Sequence, residues 1–587
     1  MISSPLDEKG SDQVTLQDKD LQSIQEVRNL VARAHEAQKA FEKLTQTQVD
    51  DVIGSVGEAA LAESTRLGAL AVEETGYGIV SDKHLKNYFV AKHVTDYIRP
   101  LRTMGIISED PVRKITEIAV PMGVVAAIIP STNPTSTAIF KCLISLKAGN
   151  AVVLSPHPAA TRCIGESARV CYEAALKAGA PEGIIGWMTI PTLEATQELM
   201  KHKNVAVILA TGGAGLVKAA YSSGKPAYGV GPGNVPAYVD RSADISKAVK
   251  DVLTGKTFDN GTLCSSEQSI VVDAPVESQV AEELIRMRGY FLNQEETRKL
   301  EAVAIQQNGS LNPQVVGKSP AWIADKAGIK IPEGTRVLIV RLTGVGRGNP
   351  LSCEKLSPIL SYYVVQDWRE GCERCKQILA YGGMGHTLAI HSKDSAVIRQ
   401  FGLEKPAFRI CVNTPATHGS IGFSTSLPPS MTLGCGTYGN NITTDNITPM
   451  HLIQVKRMAW ETTEVFPSWW TEPERKETRT PEMVPTKPIA TSVPELIEAY
   501  LASWKARQPS KNHARTSETQ PSHSKPDAQA PRGNPSREDK PGAVDFVCEQ
   551  DVRMAAQLRH KIYVHSKTII TPAAQELGTS HKIFITI

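Results

Sequence analysis

The chain has 587 residues, 41% of them hydrophobic and 21% charged, with a formal net charge of +3. That is the composition of a globular protein. The charge is too weak to argue for nucleic acid or an anionic membrane surface as partner, and no stretch approaches the roughly 18 apolar residues of a spanning helix. The polar start, MISSPLDEKGSDQ, lacks the apolar core of a secretion signal. The expectation is a cytoplasmic protein whose ten cysteines are reduced thiols.

Residues 1–20 read as a disordered lead, and apolar residues at three- and four-residue spacings predict helices from Leu21 to about Val94. Two apolar, β-branched runs follow in KITEIAVPMGVVAAIIPSTNP. Strands and helices then alternate: AVVLS, TRCIGESARVCYEAALKAG, IIGWMTI, LEATQELMKH, VAVILA, GLVKAAYSSG, PAYVD. Continuously apolar strands alternating with helices predict a parallel sheet covered on both faces, hence an α/β fold. A second α/β region, 245–436, holds SIVVD, a helix from Val276 to Arg288, the strand VLIVRL and a helix around Cys372. Cys372 and Cys375 form a CxxC without a second ligand pair, and we read both as helix-face residues; no metal site is expected.

After about Glu474 the character changes. Residues Arg507 to Pro541 contain no Val, Ile, Leu, Met, Phe, Trp or Tyr, so this stretch has no core to bury and reads as a flexible linker (475–543). Within it, TSVPELIEAYLASWKA predicts an amphipathic helix over 493–506, with Leu496, Ile497, Tyr500, Leu501 and Trp504 on one face. The last segment, 544–587, reads as a small module near the lower size limit for independent folding.

The stretch GKTFDNGTLCSSEQSIVVD, from Gly255 to Asp273, sets Cys264 on a loop of small residues between a helix and a strand. Gly261, Ser265 and Ser266 leave room for a substrate, and loop N–H groups would lower the thiol pKa and receive an oxyanion. Upstream, VAVILATGGAGLVKAA runs a buried strand through Thr211, Gly212 and Gly213 into a helix, which suits a phosphate group against backbone N–H groups.

Six stretches together resemble the CoA-acylating aldehyde dehydrogenases over about Leu21 to Glu474. They are IIPSTNPTSTAIFKCLISLKAGNAVVLSPHP, ILATGGAGLVKAAYSSGKPAYGVGPGNVPAYVD, FDNGTLCSSEQSIVVD, EKLSPIL, GGMGHTLAIH and LPPSMTLGCGTYGNNITTDNITPMHL. The resemblance implies a Rossmann-like NAD domain (21–244), a catalytic domain (245–436) and a small β oligomerisation element. That element would join strands near 112–121 to the segment 437–474 and make a homo-oligomer, a dimer or tetramer.

Cys264 would be the nucleophile. Asn133 would be the side-chain donor to the oxyanion, with Thr132 as the alternative one position earlier, and His386 would assist the thiol or CoA. The cofactor side would comprise Thr132, Ser155, Pro156, Thr211, Gly212, Gly213, Gly231 and Glu354, with NAD as cofactor and CoA as co-substrate. In hydrolytic relatives a Glu stands where this chain has Gly229, so the thioester would await CoA rather than water. The aldehyde would be short, acetaldehyde or propionaldehyde. The module 544–587 and the helix 493–506 resemble terminal modules and encapsulation peptides of bacterial microcompartment proteins, implying shell proteins as partners and a place inside such a compartment. The rival readings are a hydrolytic aldehyde dehydrogenase and an assembly protein with a vestigial enzyme domain.

Overall fold

The computed structural model describes residues 18–465, 544–547, 549–558 and 560–586. The predicted disordered lead lies almost wholly, and the linker 475–543 with the helix 493–506 wholly, outside the described residues. The chain divides into two units, Met1–Trp470 and Thr471–Ile587.

The first unit begins with helices whose ends are chemically marked. Asp18 caps Lys19–Phe41 by accepting from the N–H groups of Asp20 and Leu21, and Thr45 and Gln48 form a capping box on Gln46–Ala62. Ser64–Thr75 stops at Gly76, whose φ of 66° suits glycine. Of these, Lys19–Phe41 packs, together with the later helices Pro134–Lys147 and Thr161–Lys177, on a five-stranded parallel sheet in the order Ile185–Trp187, Ala151–Pro156, Val124–Ile129, Val205–Thr211, Ala227–Val230. Every residue of Val124–Ile129 and Ala151–Pro156 is buried, as expected for strands covered on both faces. The order reverses direction between Val124–Ile129 and Val205–Thr211. That is the switch point at which doubly wound sheets open a crevice beyond their strand ends.

The second sheet has seven parallel strands in the order Gly289–Phe291, Val337–Arg341, Ile359–Val365, Glu267–Asp273, Val235–Val239, Gly385–His391, Ala407–Val412. This corrects the sequence-derived boundary at 244. The strand PAYVD belongs to the second sheet, so the chain changes sheets over 231–234. Strand–helix alternation is the same in both sheets and does not show which one a strand joins. IIGWMTI likewise forms only the three-residue strand Ile185–Trp187.

A third, antiparallel sheet pairs Gly105–Asp110 with Ile115–Pro121, and Ile115–Pro121 with Ile453–Ala459, in register from Ile453 opposite Pro121 to Ala459 opposite Ile115. The second unit is a small module with a parallel three-stranded sheet, Ile562–Ile570 between Val544–Val547 and Phe584–Thr586, and helices Glu549–Leu558 and Pro572–Ser580. Its core comprises Val547, Val552, Ala555, Val564, Ala574 and Ile583.

Candidate active site

A cavity of about 520 Å³ opens at the switch point of the first sheet. Its walls hold Cys264 and nine of the other predicted site residues: Thr132, Asn133, Ser155, Pro156, Thr211, Gly212, Gly213, Gly231 and Glu354. His386 is the exception and does not line it.

One wall is built for close approach. Val205–Thr211 ends at Gly212 and Gly213, and the helix Ala214–Tyr221 follows. A Cβ added at Gly213 would meet nothing within 4 Å, so packing does not demand this glycine and the space beside it is open. The Thr211 hydroxyl is buried without a hydrogen-bond partner among the described residues, an available group at the cavity wall. Ser155 is buried and shares a 3.0 Å hydrogen bond with the Thr196 hydroxyl. Among the described residues, no lysine or arginine lines the cavity, and its single carboxyl group is Glu354.

Cys264 stands on the opposite wall, between the 3₁₀ turn Phe258–Gly261 and the strand Glu267–Asp273. It is partly exposed, while Ser265 and Ser266 are buried. Burial pushes its thiol up to about 12; the Glu354 carboxylate and Cys435 add to this and Arg409 opposes it. This corrects the expectation of a thiol acidified by its loop: dehydration outweighs the loop's own N–H groups. Glu354 is itself pushed up to about 7 by burial and accepts a 3.0 Å hydrogen bond from the Gly233 N–H.

Position 229 is closed to a carboxylate. A Cβ there would lie 2.7 Å from Val217 Cγ1 and 2.9 Å from the Tyr221 hydroxyl. The Gly229 N–H donates to that hydroxyl at 3.0 Å, and the Gly229 carbonyl accepts from Asn441 Nδ2 at 2.6 Å. Tyr221 thus occupies the room a side chain at 229 would need.

His386 is fully buried behind the cysteine loop. A Cβ at Gly233 would lie 2.2 Å from the Cys264 carbonyl and 3.1 Å from His386 Cγ, which puts the ring beside the loop's backbone. Its Nδ1 bonds to Thr387 Oγ1 at 2.9 Å, and Nε2 has no partner among the described residues. Burial, with Arg409 adding, lowers it to about 3, so the imidazole is neutral.

Sequence reasoning missed a buried ionic cluster behind Asn133. Lys83 Nζ donates to Asp259 Oδ2 at 2.7 Å and to the Thr132 carbonyl at 2.6 Å. Lys86 Nζ donates to Asp259 and, at 2.6 Å, to Asn133 Oδ1. All three charged groups are buried. In the text DKHLKN these lysines look like a solvated helix face. The one available signal was FDNG, whose Asp259 and Asn260 take φ of 50° and 52° just ahead of the cysteine.

Comparison with known proteins fits this geometry. Residues 8–290 match the model described as "Aldehyde dehydrogenase family". The aldehyde-alcohol dehydrogenase 2 of Entamoeba histolytica is 45% identical over 74% of this chain and 51% of its own length, so the chain spans about half of that relative. The crystal structure of an acetylating aldehyde dehydrogenase from Geobacillus thermoglucosidasius is 53% identical, covers 77% of this chain and 100% of its own, and has a TM-score of 0.76. A propionaldehyde dehydrogenase from the fucose utilisation microcompartment of Clostridium phytofermentans is 29% identical over 74% of this chain and 97% of its own, with a TM-score of 0.68.

Proposed function

The chain belongs to the aldehyde dehydrogenase family, and from that premise we propose that it oxidises a short aldehyde, acetaldehyde or propionaldehyde, to its acyl-CoA. The balanced reaction is aldehyde + CoA + NAD⁺ → acyl-CoA + NADH + H⁺. A bound nicotinamide would accept the hydride. The chain's residues do the rest.

Cys264 Sγ adds to the aldehyde carbonyl, giving a hemithioacetal; hydride loss leaves a thioester on the same sulfur. The CoA sulfur then takes the acyl group and Cys264 leaves as thiolate. Because the resting thiol is protonated, a base must take its proton. Glu354 is the carboxylate on the cavity wall, and its position near 7 suits it to hold that proton at working pH. By the same resemblance, Glu354 would also hold the ribose of a bound nicotinamide. Asn133 Nδ2 would be the side-chain donor for the developing oxyanion, giving up one of the long bonds it makes to the Thr132 hydroxyl and the Thr262 carbonyl. His386 would have to shift toward the cavity before it could assist an incoming CoA thiol, since it does not line the cavity and burial lowers it to about 3.

The observation that carries this reading is the filled space at Gly229. No carboxylate stands there to activate water, so the thioester outlives hydrolysis and waits for a thiol. Ser155, Pro156, Thr211, Gly212, Gly213 and Gly231 suit a dinucleotide. The absence of Lys and Arg among the lining residues favours NAD over a 2′-phosphorylated cofactor. The antiparallel sheet of Ile115–Pro121 and Ile453–Ala459 would be the oligomerisation element, completing a homo-oligomer, a dimer or tetramer. The microcompartment neighbour supports a compartment setting, in which 493–506 and the module 544–587 would engage shell proteins. No helix among the described residues is long and apolar enough to cross a membrane.

The test is NADH formation from acetaldehyde and propionaldehyde with and without CoA, with product analysis. CoA-dependent turnover to acyl-CoA is expected. CoA-independent turnover to free acid would overturn the reading. Deleting 493–506 is expected to release the protein from co-purifying shell proteins, and unchanged co-purification would remove that part.

A further inference from the structure

We propose that Lys86 is a positioning residue, whose ammonium fixes the orientation of the Asn133 amide from behind the active-site wall. The inference rests on the donor role given to Asn133 above. An asparagine amide presents an acceptor on one side and two donors on the other, and nothing in its shape prevents a flip. An ammonium can only donate. Lys86 Nζ lies 2.6 Å from the amide oxygen, so a flipped amide would set donor against donor. With Oδ1 held, Nδ2 donates to Thr132 Oγ1 at 3.2 Å and to the Thr262 carbonyl at 3.3 Å, two residues before the nucleophile, and it would exchange one of these two long bonds for the oxyanion.

A second observation points the same way. Asn133 is the N-cap of the helix Pro134–Lys147, a position where its side chain would ordinarily accept from the first helical turn. It makes no such bond. The amide is withdrawn from capping and held by Lys86 instead.

Lys86 is in turn held by the nucleophile's own loop. Asp259 accepts from Lys83, Lys86, the Thr262 hydroxyl at 2.5 Å and the Ile79 N–H at 2.8 Å, while its own N–H donates to Asp82 Oδ2 at 2.7 Å. One carboxylate therefore indexes the amide donor and the cysteine loop to each other. Burial, with Lys83 adding and Asp259 opposing, brings the Lys86 ammonium down to about 7, so the donor-only form that holds Oδ1 is the one that dominates below that pH. Packing alone would be served as well by apolar side chains, since buried charges gain little over them.

Lys83 provides the control, because it touches the same carboxylate without touching the amide. The experiment is single-turnover hydride transfer at saturating cofactor in Asn133→Ala, Lys86→Met, their double variant, Lys83→Met and Lys86→Gln. Asn133→Ala should slow transfer about 10²-fold. Lys86→Met should slow it by about 10-fold or more, with cofactor Kd unchanged. The double variant should be no slower than Asn133→Ala within about 3-fold, because both remove one function. Lys83→Met should transfer faster than Lys86→Met. Lys86→Gln retains an N–H toward Oδ1 and should recover part of the rate.

Transfer by Lys86→Met within about 2-fold of wild type, or losses that multiply in the double variant, would overturn the inference. Should Lys86→Met fail to fold, Lys86→Gln with and without Asn133→Ala decides by the same comparison. Unimpaired Asn133→Ala would instead strike the donor role on which the inference stands, and a wild type without CoA-dependent turnover would strike the proposed function itself.

Discussion

The two walls of the cavity achieve rigidity by opposite means. The wall at Thr211–Gly213 is backbone and open space: Gly213 has no neighbour for a Cβ, and the Thr211 hydroxyl awaits a partner. The wall at Cys264 is locked by buried charge, with Asp259 gathering two lysines, a hydroxyl and a backbone N–H. A surface that receives a ligand gains from missing atoms. A surface that must hold a nucleophile and a donor within a fraction of an ångström gains from many directional bonds.

The contrast breaks most completely at the sulfur. Cys264→Ala should reduce NADH formation by at least about 10³-fold, measured at saturating aldehyde. Residual turnover near wild type would remove Cys264 from the chemistry. Next comes the filled space at 229. Gly229→Glu should not restore hydrolysis. It should instead destabilise the fold by about 1–3 kcal/mol, because the new side chain meets Val217 and Tyr221. A stable variant producing free acid would show that Tyr221 yields and that water reaches the thioester.

On the open wall the expected effect is smaller and different in kind. Gly213→Ala should leave thermal stability within about 0.5 kcal/mol of wild type. It should weaken cofactor binding, read by fluorescence titration, because the methyl group enters ligand space rather than protein. Loss of stability with unchanged affinity would reverse the comparison.

The locked side also carries a pH dependence. Burial raises Glu267 to about 8, while it accepts from the Ala416 N–H at 2.6 Å. Its folded value lies above its unfolded one, so its contribution is full below about pH 4.5 and is lost as pH rises through about 8. Thermal melts should show stability falling across that window, and Glu267→Gln should flatten the fall. A parallel slope in the variant would assign the titration elsewhere.

The same contrast explains what the sequence disclosed. Glycines beside a strand end, a cysteine among small residues and Glu354 were legible because their chemistry depends on residue type. Ten of the eleven predicted site residues line one cavity. The Lys83–Lys86–Asp259 cluster was not legible, because a lysine at helical spacing reads as solvated unless its carboxylate partner, more than 170 residues away in the chain, is known. The thiol's raised pKa was likewise hidden, since burial is set by the assembled walls. The fold was readable as alternating strands and helices. The crossing between sheets before Val235 was not, because both sheets are parallel and equally apolar.

The most direct test is mass measurement of the Cys264 peptide after one turnover with aldehyde and NAD in the absence of CoA, before and after CoA is added. The account predicts an acyl adduct on Cys264 that persists without CoA and discharges to acyl-CoA when CoA arrives. An unmodified Cys264, or an adduct lost to water as free acid at the same rate with or without CoA, would contradict it.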